Sequence, residues 1–535
     1  MKLQRGSGIL LHLSSLPGPD GIGDLGASAF RFVDFLKRSG QRYWQFLPLG
    51  PCSRSFGMSP YMSLSAFAGN PLFIDLRQLH RQGLLEGAPE SAGFSEHLID
   101  FNAVMAHKHQ HLEQAFQVFQ KSPPSPDFEK FCQKEEYWLS SYSLFMALRE
   151  KFGERPWATW PRDIATMRSE ALRGARKELS LRIRYHQFLQ YCFFDQWRKL
   201  KSYANENGIR LIGDLPIYVG LGSADVWANQ QNYLLDPVQL TPTKVAGVPP
   251  DYFSETGQRW GNPIYRWRTG NGINTSLYQW WQLRFAANYR TADIVRIDHF
   301  RGFESFWQIP ASEETAVSGE WAEGPGIGFF QEMCKSIDTL PIIAEDLGII
   351  TPAVEELRDR LQYPGMKVLQ FAFDSDESNA YLPHNYTTTN CLVYTGTHDN
   401  DTAVGWYLSP KVPESCKARL RRYANSDGRQ INWDFIRLAL SSVAAAAIIP
   451  MQDILGFGSD CRMNMPSTIK GNWRWRCAEQ HLNDAIADRL FSETSFYGRL
   501  PQQHPPEAGE KEDEGCQLAV ESVAEKKCRS VDNQS

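Results

Sequence analysis

The chain has 535 residues, 42% of them hydrophobic, so it can bury a large core and is long enough for one heavily decorated domain or two to three ordinary ones. Its 56 Lys and Arg against 61 Asp and Glu give a net charge of -5, which leaves no basic footprint for nucleic acid and points to neutral or small partners. No uncharged stretch reaches the roughly 18 residues of a membrane span, which argues against a membrane partner.

The first apolar run, ending at Leu13, is too short and too interrupted for a signal peptide, so the expected location is cytoplasmic. The 10 Cys are scattered as singletons without a C-x-x-C pair, which speaks against a zinc site or a disulfide framework and for reduced, mostly buried thiols. The 16 Trp and 20 Tyr are a heavy supply of flat faces with polar tips. Sugar rings stack on such faces, although large cores also use many aromatics.

In chain order, β-rich apolar runs ending in turn or polar residues fall at Gly8 to Leu13, Tyr43 to Pro48, Arg210 to Asp214, Asp293 to Asp298, Pro341 to Glu345, Met366 to Phe373, Cys391 to Thr397 and Ala445 to Met451. Helix-like stretches separate them, and roughly eight such runs are what a closed (β/α)8 barrel of α/β class needs. Two gaps are too long for one crossover helix, so insertions are expected after strands 2 and 3: a helical subdomain at about 51–205 and a loop-rich segment at about 215–292. Leu189, Phe193, Trp197 and Leu200 make the apolar stripe of a barrel-covering helix that Gly208 is placed to cap. From about 501 to 535 the composition shifts to Pro, Glu, Lys, Gly and Ser, which predicts a disordered tail after a single catalytic unit spanning 1–500.

The chemistry is read at the strand ends. Three runs terminate in Asp298, Glu345 and Asp399, and in a parallel barrel such ends share the rim where catalysis occurs. A nucleophile, an acid/base and a third carboxylate for a cationic transition state would use all three, which makes glycosidic bond chemistry the leading reading. Arg296 and Asp298, two apart on a strand, project to the same side, and the guanidinium is expected to lower the carboxylate's pKa, as a nucleophile requires. The alternative is an ordinary ion pair inside the barrel. Glu345 needs a less solvated setting and a raised pKa to act as a general acid. Asp399 can accept sugar hydroxyls and stabilise positive charge while His398 donates to a neighbouring hydroxyl. The rival is a divalent-ion cluster of Asp298, His299, His398 and Asp399, against which stands Arg296 beside one ligand. Asp214, a fourth strand-end acid, orients Arg296 or serves only the framework.

Gly213 to Val219, Arg296 to Gly302, Ala344 to Gly348 and Thr397 to Thr402 resemble, in order, the four short regions shared by the α-amylase clan. The closer resemblance is to the 4-α-glucanotransferases called amylomaltase or disproportionating enzyme. It is supported by Ser14 to Gly18, Ser59 to Tyr61 running to Pro71, Pro249 to Ser254, Gly257 to Pro263, Arg462 to Pro466 and Asn472 to Arg476. These blocks span nearly everything up to about residue 498.

The resemblance implies a (β/α)8 barrel with inserted subdomains, no metal or organic cofactor, and a retaining double displacement on α-1,4-glucans. Asp298 would be the nucleophile, Glu345 the acid/base and Asp399 the transition-state stabiliser, with Arg296 and His398 as partners. It also implies an aromatic loop over the site, matched by Asp251 to Phe253 and by Gln258 to Trp260, and groove positions at Tyr61 and Asn464. Partners would be maltooligosaccharide or glucan donors and acceptors, and the expected assembly is a monomer or weak homodimer. Cys52 to Gly57 is bulkier than the Gly-rich turn usual in the family. An α-glucan hydrolase on the same barrel and a non-catalytic glucan-binding protein are the competing readings.

Overall fold

The computed structural model describes residues 3–501 apart from 88, 90–92, 124, 251–253, 271 and 338. Its centre is an eight-stranded parallel sheet of β1 (Gly6–Leu10), β2 (Tyr43–Gln45), β3 (Arg210–Pro216), β4 (Ile294–Asp298), β5 (Ile342–Ala344), β6 (Gly365–Val368), β7 (Cys391–Tyr394) and β8 (Ala446–Pro450). All eight expected strands are present, each shorter than its apolar run except β3, which extends two residues beyond Asp214. Runs such as Ile294-Val295 and Ile448-Ile449 are buried on both faces, as strands wrapped by crossover helices must be.

Hydrogen-bonded order runs from β5 through β4, β3, β2, β1, β8 and β7 to β6, and the two ends curl together. The seam is held by the Ala344 N–H donating to the Pro364 carbonyl at 2.9 Å and by the Met366 N–H donating to Asp346 Oδ1 at 2.7 Å. A Cβ on Gly365 would collide with that carboxylate, so the close approach depends on glycine there. The fold is therefore a (β/α)8 barrel, with functional residues expected at the C-terminal ends of its strands.

The helix of the expected stripe covers Ser180–Glu206, buries Leu189, Phe193, Trp197 and Leu200, and is followed by Gly208 at φ +77°. Ahead of it, helices Phe101–Lys121, Pro126–Lys134 and Glu136–Lys151 pack along its length. One fully buried ion cluster anchors this insertion to the loop after β1: Lys108 Nζ lies 3.1 Å from Asp20 and 3.0 Å from Asp24, and donates to the Ile74 carbonyl at 2.7 Å.

The stretch after β3 is more ordered than its loop-rich composition suggests. Lys244–Val248 and Gln258–Pro263 join Ser305–Pro310 and Glu320–Glu323, which follow β4, in a four-stranded antiparallel sheet. This sheet flanks the barrel rim and carries Gln258 and Trp260. Among the described residues no helix is long and apolar enough to cross a membrane, and eight cysteines are free thiols. Cys516, Cys528 and the expected tail beyond 501 lie outside the described residues.

Candidate active site

Strand register brings the acids together. Asp214 on β3 is the direct Cα partner of Arg296 on β4, and Pro216 is that of Asp298. Across β4 and β5, Ala344 pairs with Ile297, so Glu345 follows beside Asp298. The Glu345 N–H donates to the Ile297 carbonyl at 3.1 Å, and its own carbonyl accepts from the Phe300 N–H at 3.1 Å.

Arg296 is the hub. Its Nη1 donates to both oxygens of Asp214 at 2.8 Å, and its Nη2 lies 2.9 Å from Asp298 Oδ1. The remaining Nε–H points to the thioether of Met366 at 3.4 Å. Burial opposes the guanidinium charge, but Asp214 and Asp298 overcome it and keep Arg296 protonated. The Asp214 side chain is fully buried, so it reaches a substrate only through Arg296 and through Tyr61, whose hydroxyl donates to Asp214 Oδ2 at 2.7 Å. The Asp298 side chain, by contrast, keeps 31% of its surface open to the cleft.

Glu345 is fixed by two backbone donors. His299 N–H reaches Oε2 at 2.7 Å, and Leu347 N–H reaches Oε1 at 2.9 Å. His299 adopts the left-handed conformation, φ 57° and ψ 50°, which turns its N–H toward the neighbouring strand's carboxylate. Burial nevertheless dominates and pushes Glu345 up to about 8, with Arg296 pulling down and the Asp298 charge pushing up. Asp298 is also lifted, to about 6, because burial and the Asp214 charge outweigh Arg296. Arg296 does pull this carboxyl down, as expected, but burial and Asp214 leave it above rather than below its ordinary value, and the pair is separated by how far each rises. Near neutrality Asp298 is ionised while Glu345 keeps its proton.

His398 and Asp399 follow β7. The His398 ring stacks on Tyr61 with centroids 4.9 Å apart, its Nδ1 is 3.4 Å from the Tyr61 hydroxyl, and its Nε2 is 3.4 Å from Asp399 Oδ1. Asn464 Nδ2 donates to the same Asp399 oxygen at 2.6 Å. Arg462 donates to the Asp399 and Asn464 carbonyls, holding the two segments together. The Asp399 side chain is 48% exposed, so it faces the cleft.

The flanking sheet delivers Trp260, whose ring meets the edge of His299 at 4.8 Å and whose Nε1–H donates to Gln258 Oε1 at 3.2 Å. Trp260 thus stands against His299, whose N–H holds Glu345, with Gln258 beside it, whereas Asp251 lies outside the described residues. Sequence reasoning assigned no role to the His299 and Leu347 N–H groups, to Arg462, to Met366, or to Trp473, which packs against Tyr61 and His398. The blocks Arg462 to Pro466 and Asn472 to Arg476 already contained two of them; the backbone donors carry no sequence signal. Among the described residues no group of three or more His, Cys, Asp or Glu is placed to hold a metal ion.

This arrangement supplies an ionised carboxylate, a protonated carboxyl on the adjacent strand, and a third carboxylate across the rim, a set suited to displacement at an acetal carbon. A family model described as 4-alpha-glucanotransferase matches residues 11–482. A 4-alpha-glucanotransferase of Synechocystis sp. is 50% identical over 505 residues, covering 93% of this chain and 98% of its own. That of Thermus thermophilus is 47% identical over 511 residues, covering 94% and 100%. The amylomaltase from Streptococcus agalactiae in complex with acarbose superposes with a TM-score of 0.88 at 38% identity, covering 93% of this chain and 100% of that one.

Proposed function

The chain belongs to the 4-alpha-glucanotransferase family, and from that premise we propose how its residues divide the transfer of an α-1,4-glucan segment from a donor maltooligosaccharide to the 4-hydroxyl of an acceptor. Asp298 attacks the anomeric carbon of the donor while Glu345 gives its proton to the departing glycosidic oxygen, leaving a covalent glycosyl-enzyme. Glu345, now ionised, takes the proton of the acceptor 4-hydroxyl as that oxygen displaces Asp298. Two inversions retain the anomeric configuration. Asp399, held by Asn464 and facing the cleft, stabilises the positive charge of both transition states, and His398 stands beside it to bind a hydroxyl.

The observation that carries this reading is the adjacency of β4 and β5 with Arg296 fixing one carboxyl and two backbone N–H groups fixing the other. Tyr61 and Asp214 hold Arg296 and His398 in place. Gln258 and Trp260 flank the acceptor side and disfavour water; Asp251 enters on the resemblance of its segment alone.

A donor carrying fluorine at C5 and a fluoride leaving group tests the assignment, since it forms the glycosyl-enzyme faster than it releases it. Peptide mass mapping is expected to find the label on Asp298; a label on Glu345 or Asp399 overturns the division of roles.

The same proposal includes a cytoplasmic location, a monomer or weak homodimer, activity undiminished by EDTA, and one cooperative catalytic unit spanning 1–500. Light scattering across a concentration series tests the assembly and a calorimetric scan tests the single unit, with a stable larger assembly or two separate transitions as the contrary results.

A further inference from the structure

Arg301 lies three residues after Asp298 and is almost completely buried, yet among the described residues its guanidinium meets no carboxylate directly. Its Nη1 donates to the Ile349 carbonyl, and its Nη2 donates to Ser305 Oγ at 3.1 Å. The Ser305 hydroxyl in turn donates to Glu304 at 2.5 Å, which brings a counter-charge one bond removed. One face of the guanidinium lies 3.9 Å from the centre of the Trp321 ring, a cation–π contact from the flanking sheet. Arg301 therefore ties the segment behind Asp298 to the loop behind Glu345.

That loop has few other supports. Its near end is fixed by Asp346, which accepts from Met366 N–H and pairs with Arg358. Beyond Leu347 the chain passes through Gly348 at φ +85°, where an added Cβ would meet nothing within 4 Å, and the Ile349 side chain is 47% exposed. Leu347 and Ile350 pack against the core, whereas Gly348 and Ile349 between them are exposed, so it is at this exposed turn that Arg301 holds the chain. The Leu347 N–H that bonds Glu345 sits between the two anchors, one of which is Arg301.

We propose that Arg301 is a positioning residue for the proton transfer, pinning the 346–350 loop through the Ile349 carbonyl so that Glu345 stays aimed at the glycosidic oxygen. The inference rests on the reading of Glu345 as acid/base. Glu345 also faces Arg296 and Asp298 from β4, His299 behind them, and Tyr381 from the loop after β6, and the Arg301 and Trp321 substitutions below leave all of these side chains in place as residues.

The test contrasts two donors at saturating concentration: maltotriose, whose leaving group needs a proton, and maltosyl fluoride, whose leaving group does not. Arg301→Gln is expected to slow maltotriose turnover on the order of tenfold while first-turnover fluoride release changes less than about twofold. Its alkaline limb with maltotriose should move to higher pH, because loss of the Leu347 bond removes a donor that favours the ionised carboxyl. Arg301→Lys, which keeps a donor for the Ile349 carbonyl, should recover part of the rate. Equal slowing with both donors would mean a general structural role, and unchanged rates with both would mean none; either overturns the proposal. Should Arg301→Gln fail to fold, Trp321→Ala is read by the same contrast, and equal slowing with the two donors, or none with either, again overturns it. Glu345→Gln serves as the reference: if it leaves maltotriose turnover intact, the acid/base reading itself has failed, independently of Arg301.

Discussion

Asp214 and Arg296 face each other across β3 and β4, and a single nitrogen of the guanidinium bridges both oxygens of the carboxylate at 2.8 Å while another holds Asp298 at 2.9 Å. Asp298, the proposed nucleophile, is thus presented at the end of a relay that begins with a fully buried acid. Asp214→Asn keeps the shape but leaves the buried guanidinium half compensated. Breaking a buried pair in this way costs about 3 kcal/mol or more. The expected result is a clear fall in the denaturation midpoint together with a kcat loss larger than the KM change, measured by urea unfolding and by maltotriose kinetics. A wild-type midpoint and rate would show that Asp298 alone suffices to hold Arg296.

Asp298→Asn should retain oligosaccharide binding and lose turnover by several orders of magnitude, because the covalent intermediate cannot form. Calorimetric titration with a maltooligosaccharide and the product ladder from maltotriose check the two halves separately. Substantial residual transfer by a purified sample would remove Asp298 from the nucleophile's place.

The pH dependence follows from the two lifted carboxyls. Asp298 must be ionised to attack, so activity should rise as pH increases through about 6; Glu345 must be protonated, so activity should fall as pH increases through about 8. Both folded pKa values exceed those of the free side chains, 3.8 and 4.5, so the folded state binds these protons more tightly than the unfolded chain does. Their contribution to stability is therefore fully present below about pH 4 and is lost as pH rises toward 8. A kcat/KM profile from pH 4 to 10 checks the limbs, and in Glu345→Gln the alkaline limb should vanish. A limb that persists there belongs to another group.

Tyr61→Phe removes the hydroxyl that donates to Asp214 at 2.7 Å but keeps the ring stacked on His398 at 4.9 Å. Loss of one hydrogen bond to a buried charge amounts to about 1.5 kcal/mol, or roughly tenfold in rate if it is felt in the transition state. Tyr61→Ala, which also removes the stacking surface, should lose more and should raise KM. Equal effects from the two substitutions would assign the whole contribution to the hydroxyl.

Much of the barrel was legible because parallel strands buried on both faces read as continuous apolar runs, and Asp298, Glu345 and Asp399 stood out as acids where such runs stop. The flanking antiparallel sheet was not, since its four short strands come from both sides of β4, and 244–263 alone gives no sign of pairing with 305–323. Electrostatic depth was equally hidden: Arg296 next to Asp298 suggested a lowered pKa, but the burial and the Asp214 charge that outweigh it come from elements far away in sequence. The left-handed turn at His299, which aims an N–H at Glu345, falls on a residue type that gives little warning of it.

Arg499 ties the end of the described residues to the barrel. It is fully buried near the N-terminal ends of β1 and β8, where Nε donates to the Leu440 carbonyl at 2.6 Å, Nη1 to Gly6 at 2.9 Å and Nη2 to Ser442 at 2.9 Å. Burial lowers its pKa to about 9, which still leaves it charged at neutral pH. This one side chain thus ties Gly6 to the 440–442 segment, where Ser442 also accepts from Arg5, and leaving a buried carbonyl unpaired costs on the order of 1–3 kcal/mol. Truncation after Pro501 should therefore leave the melting temperature and transfer rate unchanged, whereas truncation after Gly498 should lower the melting temperature by several degrees. The contrast locates the boundary. A large loss on removing only the residues beyond Pro501 would mean that they contribute to the catalytic unit, and tolerance of the shorter cut would mean that water replaces the guanidinium without penalty.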